Sequence, residues 1–187
     1  YLKKKKDYFL KPNRISSDES KKEIQNKGDW ELNDEQSACF KSIVSSTKPI
    51  LLHGVTGSGK TRLYFSVIKR ILKESVTSQV LYLVPEIGLT SNLQSLMENY
   101  FPSHEIGIYT STQTPLSRAK TWLNVSTGKT KIILGTRMAI FLRPSNLQLI
   151  IVDEEHDTSF KQSEGFRYSA RDLAVYRANN LGIKIIL

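Results

Sequence analysis

The chain has 187 residues, of which 39% are hydrophobic and 24% are charged, a composition that is typical of a soluble globular domain and excludes a disordered or membrane-spanning class. Its 27 Lys and Arg residues outnumber 18 Asp and Glu residues, and the net charge of +9 is typical of nucleic-acid-binding proteins without proving that class. The single cysteine, Cys39, excludes an internal disulfide, and the three histidines do not have metal-ligand spacing. No apolar signal peptide precedes the domain, so we expect a cytoplasmic protein that contacts no membrane.

Residues 1–30 show no sustained hydrophobic periodicity. They carry nine Lys or Arg against five Asp or Glu, including the run Lys3-Lys4-Lys5-Lys6. Such a run is typical of a solvated segment. We therefore predict that residues 1–30 are a basic linker or the end of a preceding domain, and that residues 31–187 form the organised domain.

From residue 31 onward, short apolar segments alternate with longer amphipathic ones. Six segments rich in β-branched residues predict strands: PILLHG, QVLYLVP, EIGIY, KIILGT, LQLIIVDE and IKIIL. Helices are predicted over residues 34–46, 59–74, 88–100, 114–127 and 169–181. This alternation predicts an α/β fold with a mainly parallel sheet and helices on both faces. Because the chain ends inside the last predicted strand, we expect it to be part of a longer protein.

A phosphate-binding loop follows the first of these strands. The stretch GVTGSGKT fits the pattern G-x-x-x-x-G-K-[ST] and lies between a strand and a helix, as that pattern requires. Lys60 would reach the β and γ phosphates of ATP, and the Thr61 hydroxyl would ligate Mg²⁺. The alternative is a glycine-rich turn that only caps a helix. The predicted nucleotide-binding residues are Gly54, Val55, Thr56, Gly57, Ser58, Gly59, Lys60 and Thr61.

An acidic run, IIVDEEHD, closes the fifth predicted strand. A P-loop ATPase needs a carboxylate at the end of a neighbouring strand to hold Mg²⁺, and a second one can orient the attacking water. We predict the first role for Asp153 and the second for Glu154, and we predict that both are catalytic together with Lys60. Glu155 and Asp157 could instead be solvated or cap the next element.

The acidic run also has the DExH form of superfamily 2 helicases. Together with LLHGVTGSGKT, LVPEIGLT, ILGTRMAIF and FKQSEGFRYSARDLAVYRA, it resembles the PriA family of bacterial primosomal replication-restart helicases. The resemblance covers roughly residues 32–187. It implies the first of two RecA-like motor lobes, with ATP and Mg²⁺ as cofactors. The second lobe and a zinc-binding segment would lie beyond this chain, so the resemblance implies no zinc within it.

The resemblance also implies roles for residues outside the phosphate loop. Gln36 would read the adenine base, although Asn33 and Gln36 also fit a helix-capping pair. Thr90, Thr136 and Arg137 would contact phosphates of a DNA strand, with helix capping as the alternative for the two threonines.

An aromatic and basic segment follows the acidic run, and in the family such a loop links DNA to hydrolysis. Aromatic faces stack on bases without sequence preference, and cations hold the backbone. The residues suited to this role are Phe160, Lys161, Phe166, Arg167 and Tyr168. Core packing is the alternative for Phe166 and Tyr168.

The family resemblance finally implies a function and a set of partners. The function is 3′ to 5′ DNA unwinding that remodels stalled replication forks and helps reload the replisome. The partners are single-stranded and forked DNA, primosome proteins and single-strand-binding proteins, and the protein would be a monomer. Because an arginine finger should come from the second lobe, this chain alone should hydrolyse little ATP. The alternatives are another superfamily 2 translocase, an ATP-gated primosome interaction platform, and a nucleotide-binding domain with no nucleic-acid role.

Overall fold

The computed structural model describes residues 6–10, 31–55, 57–89 and 91–187. Most of the predicted basic linker therefore lies outside the described residues. So do Thr56, which was predicted to bind nucleotide, and Thr90, which was predicted to contact DNA.

A parallel sheet forms the centre of the domain. Among the described residues it has seven strands in the order β1-β2-β9-β6-β3-β5-β4, and every neighbouring pair is parallel. A separate two-stranded antiparallel hairpin pairs β7 with β8. The strands are β1 (Lys6–Leu10), β2 (Ile50–Gly54), β3 (Gln79–Leu83), β4 (Ile106–Tyr109), β5 (Ile132–Gly135), β6 (Leu147–Val152), β7 (Lys161–Gln162), β8 (Tyr168–Ser169) and β9 (Lys184–Ile186).

All six predicted strands are present, which confirms the predicted α/β class with a parallel sheet. Two features were not predicted. Strand β1 falls within the segment interpreted as a linker and pairs in parallel with β2, from Lys6 opposite Ile50 to Leu10 opposite Gly54. The β7-β8 hairpin lies within the aromatic and basic segment.

Helices follow the strands within the predicted ranges. In the described part of the chain they are α1 (Asp34–Ser45), α2 (Lys60–Glu74), α3 (Ser91–Tyr100), α4 (Pro115–Ser126) and α5 (Ala170–Leu181). Side chains of Asn33, Thr114 and Ser169 cap α1, α4 and α5, and Gly182 ends α5 in the left-handed region at φ 65°. None of these described helices is long and apolar enough to cross a membrane.

Both faces of the sheet are buried. Along β3, Val80 and Tyr82 point into one apolar cluster with α1, α2 and α3, whereas Leu81 and Leu83 point into a second cluster with α5. All four side chains are fully buried. Burial of each large apolar side chain contributes about 1.5–3 kcal/mol, so the two clusters fix the strand register.

Parallel pairing brings the predicted motifs to one edge of the sheet. The phosphate loop follows β2, Pro85 and its neighbours follow β3, Thr136 and Arg137 follow β5, and the acidic run follows β6. The carboxyl ends of parallel strands meet at the same edge, where α/β proteins bind their ligands. The fold therefore assembles one candidate site from four separate segments.

Candidate functional site

The phosphate loop has the backbone of an anion-binding turn. Gly57 and Gly59 adopt left-handed conformations at φ 80° and 83°, and a Cβ on Gly59 would collide with the Gln36 side chain. Gly59 is the N-cap of α2, and among the described residues no side chain caps that helix. The first N–H groups of a helix have no partner within it, so they remain for an anion.

Lys60 lies across this loop and reaches the acidic run. Its Nζ donates to Gly54 O at 2.8 Å and to Glu154 Oε1 at 2.9 Å. The Lys60 side chain is 16% exposed and that of Glu154 is 41% exposed. The structure therefore brings together two of the three predicted catalytic residues, which lie 94 positions apart in the sequence.

Asp153 is held by hydroxyl groups at the end of β6. Tyr82 donates to its Oδ2 at 3.0 Å, Tyr64 donates to its Oδ1 at 3.4 Å, and Glu154 N donates to Oδ1 at 3.1 Å. Burial raises the pKa of Asp153, the hydrogen bond from Tyr82 opposes that rise, Glu154 adds to it and Lys60 opposes it. Burial, reinforced by the charge of Asp153, also raises the pKa of both tyrosines well above the ordinary value.

The backbone turns sharply immediately after Asp153. Glu154 has φ 49°, and within the described ranges it is the one non-glycine residue with a positive φ. A side chain in this region costs free energy, and such strain concentrates at functional sites. The turn closes with Asp157 N donating to Glu154 O at 2.9 Å. His156 Nδ1 lies 3.9 Å from Glu154 Oε2 on the exposed side.

The two roles left open for Glu155 and Asp157 are now distinguishable. Glu155 Oε2 accepts from Arg171 Nη1 at 3.1 Å, so it forms an ion pair with α5. Asp157 caps the short helix Thr158–Phe160 by accepting from Ser159 N at 2.7 Å. That hydrogen bond lowers the pKa of Asp157. The capping alternative is therefore confirmed for Asp157.

Gln36 links the start of α1 to the phosphate loop. Its side chain is 1% exposed and forms a complete capping box with Asn33, with hydrogen bonds of 3.2 and 2.8 Å. Gln36 Nε2 also donates to Ser58 O at 3.3 Å. The capping alternative is confirmed, and the amide additionally supports the loop. Adenine recognition by Gln36 stays a prediction.

Arg137 contacts the segment after β6. Its Nη1 donates to Ser159 O at 3.2 Å and to Lys161 O at 2.8 Å, which ties the end of β5 to the base of the hairpin. Thr136 is 3% exposed, and its side chain makes no capping bond. Capping is therefore not the role of Thr136, and its burial leaves little surface for a DNA phosphate.

Three neighbouring rings form what we call the aromatic surface, defined as Phe141, Phe166 and the half-buried Tyr168. The ring of Phe141 lies 4.8 Å from that of Tyr168, Phe166 lies 5.8 Å from Tyr168, and Phe141 lies 6.3 Å from Phe166. Phe166 is 75% exposed and Phe141 is 50% exposed. Core packing is therefore excluded for Phe166, whereas the alternative holds in part for Tyr168, which packs against the core cluster of α5. Lys161 and Arg167 are exposed on the same hairpin.

Phe160 requires a correction. We predicted that it belongs with the DNA-contacting aromatics, but its side chain is 1% exposed and lies in the core cluster of α5. It has no face on which a base can stack. Phe141, by contrast, was missed by the sequence analysis. Arg177 fixes its position by donating to the carbonyls on either side, Ile140 O at 2.9 Å and Leu142 O at 2.8 Å.

The donors present fit a magnesium ion bound together with a nucleotide. No cluster of three or more His, Cys, Asp or Glu side chains suited to a metal occurs in the parts of the chain that the structure describes. Mg²⁺ at nucleotide sites needs only one or two carboxylates, since phosphates and water supply the other ligands. Tyr64, three residues after Thr61 on α2, contacts Asp153, so Thr61 lies on the same side of α2 as the tyrosine that faces this carboxylate.

Comparison with known proteins places the chain among helicases. The family model described as DEAD/DEAH box helicase matches residues 33–184. The chain is 43% identical over 158 residues to "Replication restart protein PriA" of Haemophilus influenzae, and 35% identical over 161 residues to the protein of that name from Bacillus subtilis. Each match covers 83% of this chain, but only 21% and 20% of the respective relatives.

Two solved structures of proteins bound to DNA share the fold. The DUF1998 helicase MrfA bound to DNA matches with a TM-score of 0.60 and 17% identity, covering 95% of this chain and 26% of MrfA. RecG bound to a three-way DNA junction matches with a TM-score of 0.56 and 22% identity, covering 94% of this chain and 26% of RecG. The RecA-like fold implied by the family resemblance is thereby confirmed.

Proposed function

Because the chain belongs to the DEAD/DEAH box helicase family, we propose that it is the ATP-binding lobe of an ATP-dependent DNA helicase that acts in replication restart. Its resemblance to the PriA family is confirmed by identities of 35% to 43% to PriA proteins. The chain spans about a fifth of the length of these curated relatives. The activity of the whole protein, its DNA substrates and its protein partners therefore belong to the proposal.

The contact between Lys60 and Glu154 carries the proposal. It joins the phosphate loop after β2 to the acidic run after β6, with 2.9 Å between Lys60 Nζ and Glu154 Oε1. A lysine that binds phosphate and a carboxylate that orients water must lie this close to act on one γ-phosphate. Without nucleotide, each neutralises the other.

Members of this helicase family use ATP and Mg²⁺. Mg²⁺ bound with ATP would offset the charge of the phosphates and of the carboxylates around them. In our proposal Asp153 and the Thr61 hydroxyl hold the ion, and the loop N–H groups and Lys60 hold the phosphates. Glu154 is released from Lys60 by the incoming phosphate and then orients the attacking water.

The aromatic surface would contact single-stranded DNA. Exposed rings stack on bases of any sequence, and the neighbouring Lys161 and Arg167 suit backbone phosphates. Arg137 ties the hairpin to the end of β5, and the hairpin begins seven residues after Glu154. DNA occupancy can therefore act on the water-orienting carboxylate through a short segment. Thr136 and Arg137 would support this surface from its inner side.

The remaining parts of the proposal rest on the family resemblance. The complete protein would move 3′ to 5′ on single-stranded and forked DNA, act as a monomer, and meet primosome and single-strand-binding proteins. A second lobe would supply the arginine finger, and a zinc-binding segment would lie outside this chain. Alone, the chain would bind Mg-ATP and turn over little.

ATP hydrolysis tests the proposal most directly. We would compare this chain with a longer chain that continues through the second lobe, each with and without forked DNA. We expect hydrolysis only in the longer chain, stimulated by DNA and abolished by Lys60→Ala. Lys129→Ala removes an exposed lysine before β5 and serves as the matched control.

Three outcomes would contradict the proposal. Hydrolysis by this chain alone, stimulated by DNA, would contradict the two-lobe account. Stimulation by RNA but not by forked DNA would favour another superfamily 2 translocase. Partner recruitment that survives Lys60→Ala in a protein with no hydrolysis would favour the interaction platform.

A further inference from the structure

Two buried tyrosine hydroxyls converge on Asp153. Tyr64 is 1% exposed and Tyr82 is 0% exposed, so neither hydroxyl can rely on bulk water for a hydrogen bond. Tyr82 extends from β3, and Tyr64 extends from α2, two elements that flank the end of β6. Both hydroxyls donate to the same carboxylate. None of the motifs predicted from the sequence assigns a role to these two tyrosines.

The three donors fix the plane of the carboxylate. Tyr82 binds Oδ2 at 3.0 Å, whereas Tyr64 and Glu154 N bind Oδ1 at 3.4 and 3.1 Å. A carboxylate has about four acceptor sites, so this arrangement occupies three and leaves capacity for a further ligand. Bonds to both oxygens prevent rotation about the terminal torsion, which is otherwise broad for aspartate.

The tyrosine rings support each other in the same orientation. They pack edge to face, with centroids 5.7 Å apart and an interplanar angle of 72°. Both rings lie in the core cluster together with Val84 and Ile151. The hydroxyl positions are therefore set by rigid core packing and not by a mobile loop.

From this geometry we propose that Tyr82, assisted by Tyr64, is a positioning residue that holds Asp153 in the orientation in which it accepts Mg²⁺ bound with a nucleotide. The inference rests on the proposed function, since it concerns the same magnesium site. It adds to that function the residues that aim the ligand. Partners of metal ligands commonly determine metal affinity in this way.

A purely structural role makes a different prediction. If the hydroxyls serve only to satisfy a buried carboxylate, their loss lowers stability and alters nucleotide binding equally with and without metal. If they aim Asp153, their loss weakens the metal-dependent part of binding alone. Tyr82→Phe and Tyr64→Phe preserve both rings and remove only the hydroxyls.

Binding of a fluorescent ADP to this chain separates the two roles. It is measured in EDTA and then across a MgCl₂ titration. For Tyr82→Phe we expect unchanged affinity in EDTA and a half-saturating Mg²⁺ concentration raised about tenfold. Tyr64→Phe should show a smaller rise, because its hydrogen bond is longer. Tyr109→Phe is the control, since β3 and β5 separate β4 from β6 in the sheet.

Each remaining result is decisive. An unchanged Mg²⁺ dependence in folded Tyr82→Phe, or equal weakening in EDTA and in Mg²⁺, would overturn the positioning role. If Tyr82→Phe fails to fold, the same comparison on Tyr64→Phe decides, and an unchanged Mg²⁺ dependence there overturns the proposal. Failure of the proposed function appears separately, as no nucleotide binding by the unmodified chain or no effect of Lys60→Ala.

Discussion

Four carboxylates lie within residues 153–157, where like charges would repel each other and raise one another's pKa. The structure gives each one a different partner. Asp153 accepts from two tyrosines, Glu154 pairs with Lys60, Glu155 pairs with Arg171, and Asp157 caps the following short helix. At the residue scale, the acidic run is thus a set of separate interactions that diverge from one turn.

The Asp157 cap predicts a dependence on pH. Its hydrogen bond with Ser159 N lowers the pKa of Asp157, so the unfolded chain binds this proton more readily than the folded chain. The stabilisation is therefore complete above the ordinary aspartate pKa and fades as the pH falls through the lowered value. Asp157→Asn should be less stable than the unmodified chain at pH 7, and the difference should shrink at pH 3.

Urea unfolding at the two pH values measures this difference. Glu98→Gln, which alters an exposed carboxylate on α3, is the control for general loss of charge. If the difference between Asp157→Asn and the unmodified chain is the same at both pH values, the charged cap does not stabilise the turn.

At the scale of elements, α1 and the phosphate loop meet through one side chain. Gln36 both completes the capping box of α1 and donates to Ser58 O in the loop. Because the capping box and the loop contact depend on the same amide, a substitution that removes this amide from α1 should also weaken nucleotide binding. The other partner of the box, Asn33, makes the cap without touching the loop in these hydrogen bonds.

The pair of variants Asn33→Ala and Gln36→Ala separates the two effects. Asn33→Ala should cost about 1 kcal/mol of stability through the lost cap and leave ATP affinity unchanged. Gln36→Ala should lower stability and also weaken ATP binding about two- to tenfold, the equivalent of one hydrogen bond. Thermal unfolding and fluorescent-nucleotide titration measure both quantities. Equal ATP affinities in the two variants would show that the contact with Ser58 O does not matter for binding.

The elements could be predicted from the sequence where local pattern determines them. Short apolar runs predicted every strand of the main sheet except β1, and the capping pair of Asn33 and Gln36 matched the start of α1. The β7-β8 hairpin escaped prediction because two residues a strand are too few to show periodicity. Strand β1 escaped because a single short run beside lysines resembles a linker.

The same distinction between local pattern and contacts among distant elements applies to the site residues. Lys60 and Asp153 were predictable because local motifs contain them, whereas the tyrosine bonds to Asp153 join three elements that are remote in sequence. The aromatic pattern after β6 did not reveal which rings face the core, so Phe160 was misassigned. Phe141 had a usable signal, since it closes the same segment that begins with Arg137.

Charge and exposed aromatic area act together at the scale of the whole molecule. The net charge of +9 attracts any nucleic acid, so weak binding alone would not identify a binding surface. However, basic residues occur at both the carboxyl ends and the amino ends of the parallel strands. Lys161 and Arg167 follow β6 at its carboxyl end, whereas Lys48 and Lys129 precede β2 and β5 at the amino ends, and all four are exposed. Lys48 and Lys129 can therefore serve as the control for nonspecific attraction of DNA by the net positive charge.

Salt dependence of DNA binding distinguishes the proposed surface from general attraction. Each phosphate contact with single-stranded DNA contributes about 0.7 to the slope of log affinity against log salt concentration. Removing Lys161 and Arg167 together should lower that slope by about 1.4 in anisotropy titrations with a labelled oligothymidine, whereas removing Lys48 and Lys129 should leave it nearly unchanged. Phe166→Ala should weaken binding by about 1–3 kcal/mol without altering the slope, because stacking releases no counterions. If removal of Lys161 and Arg167 and removal of Lys48 and Lys129 changed the slope equally, the chain would bind DNA through its overall charge. The aromatic surface would then have no special role.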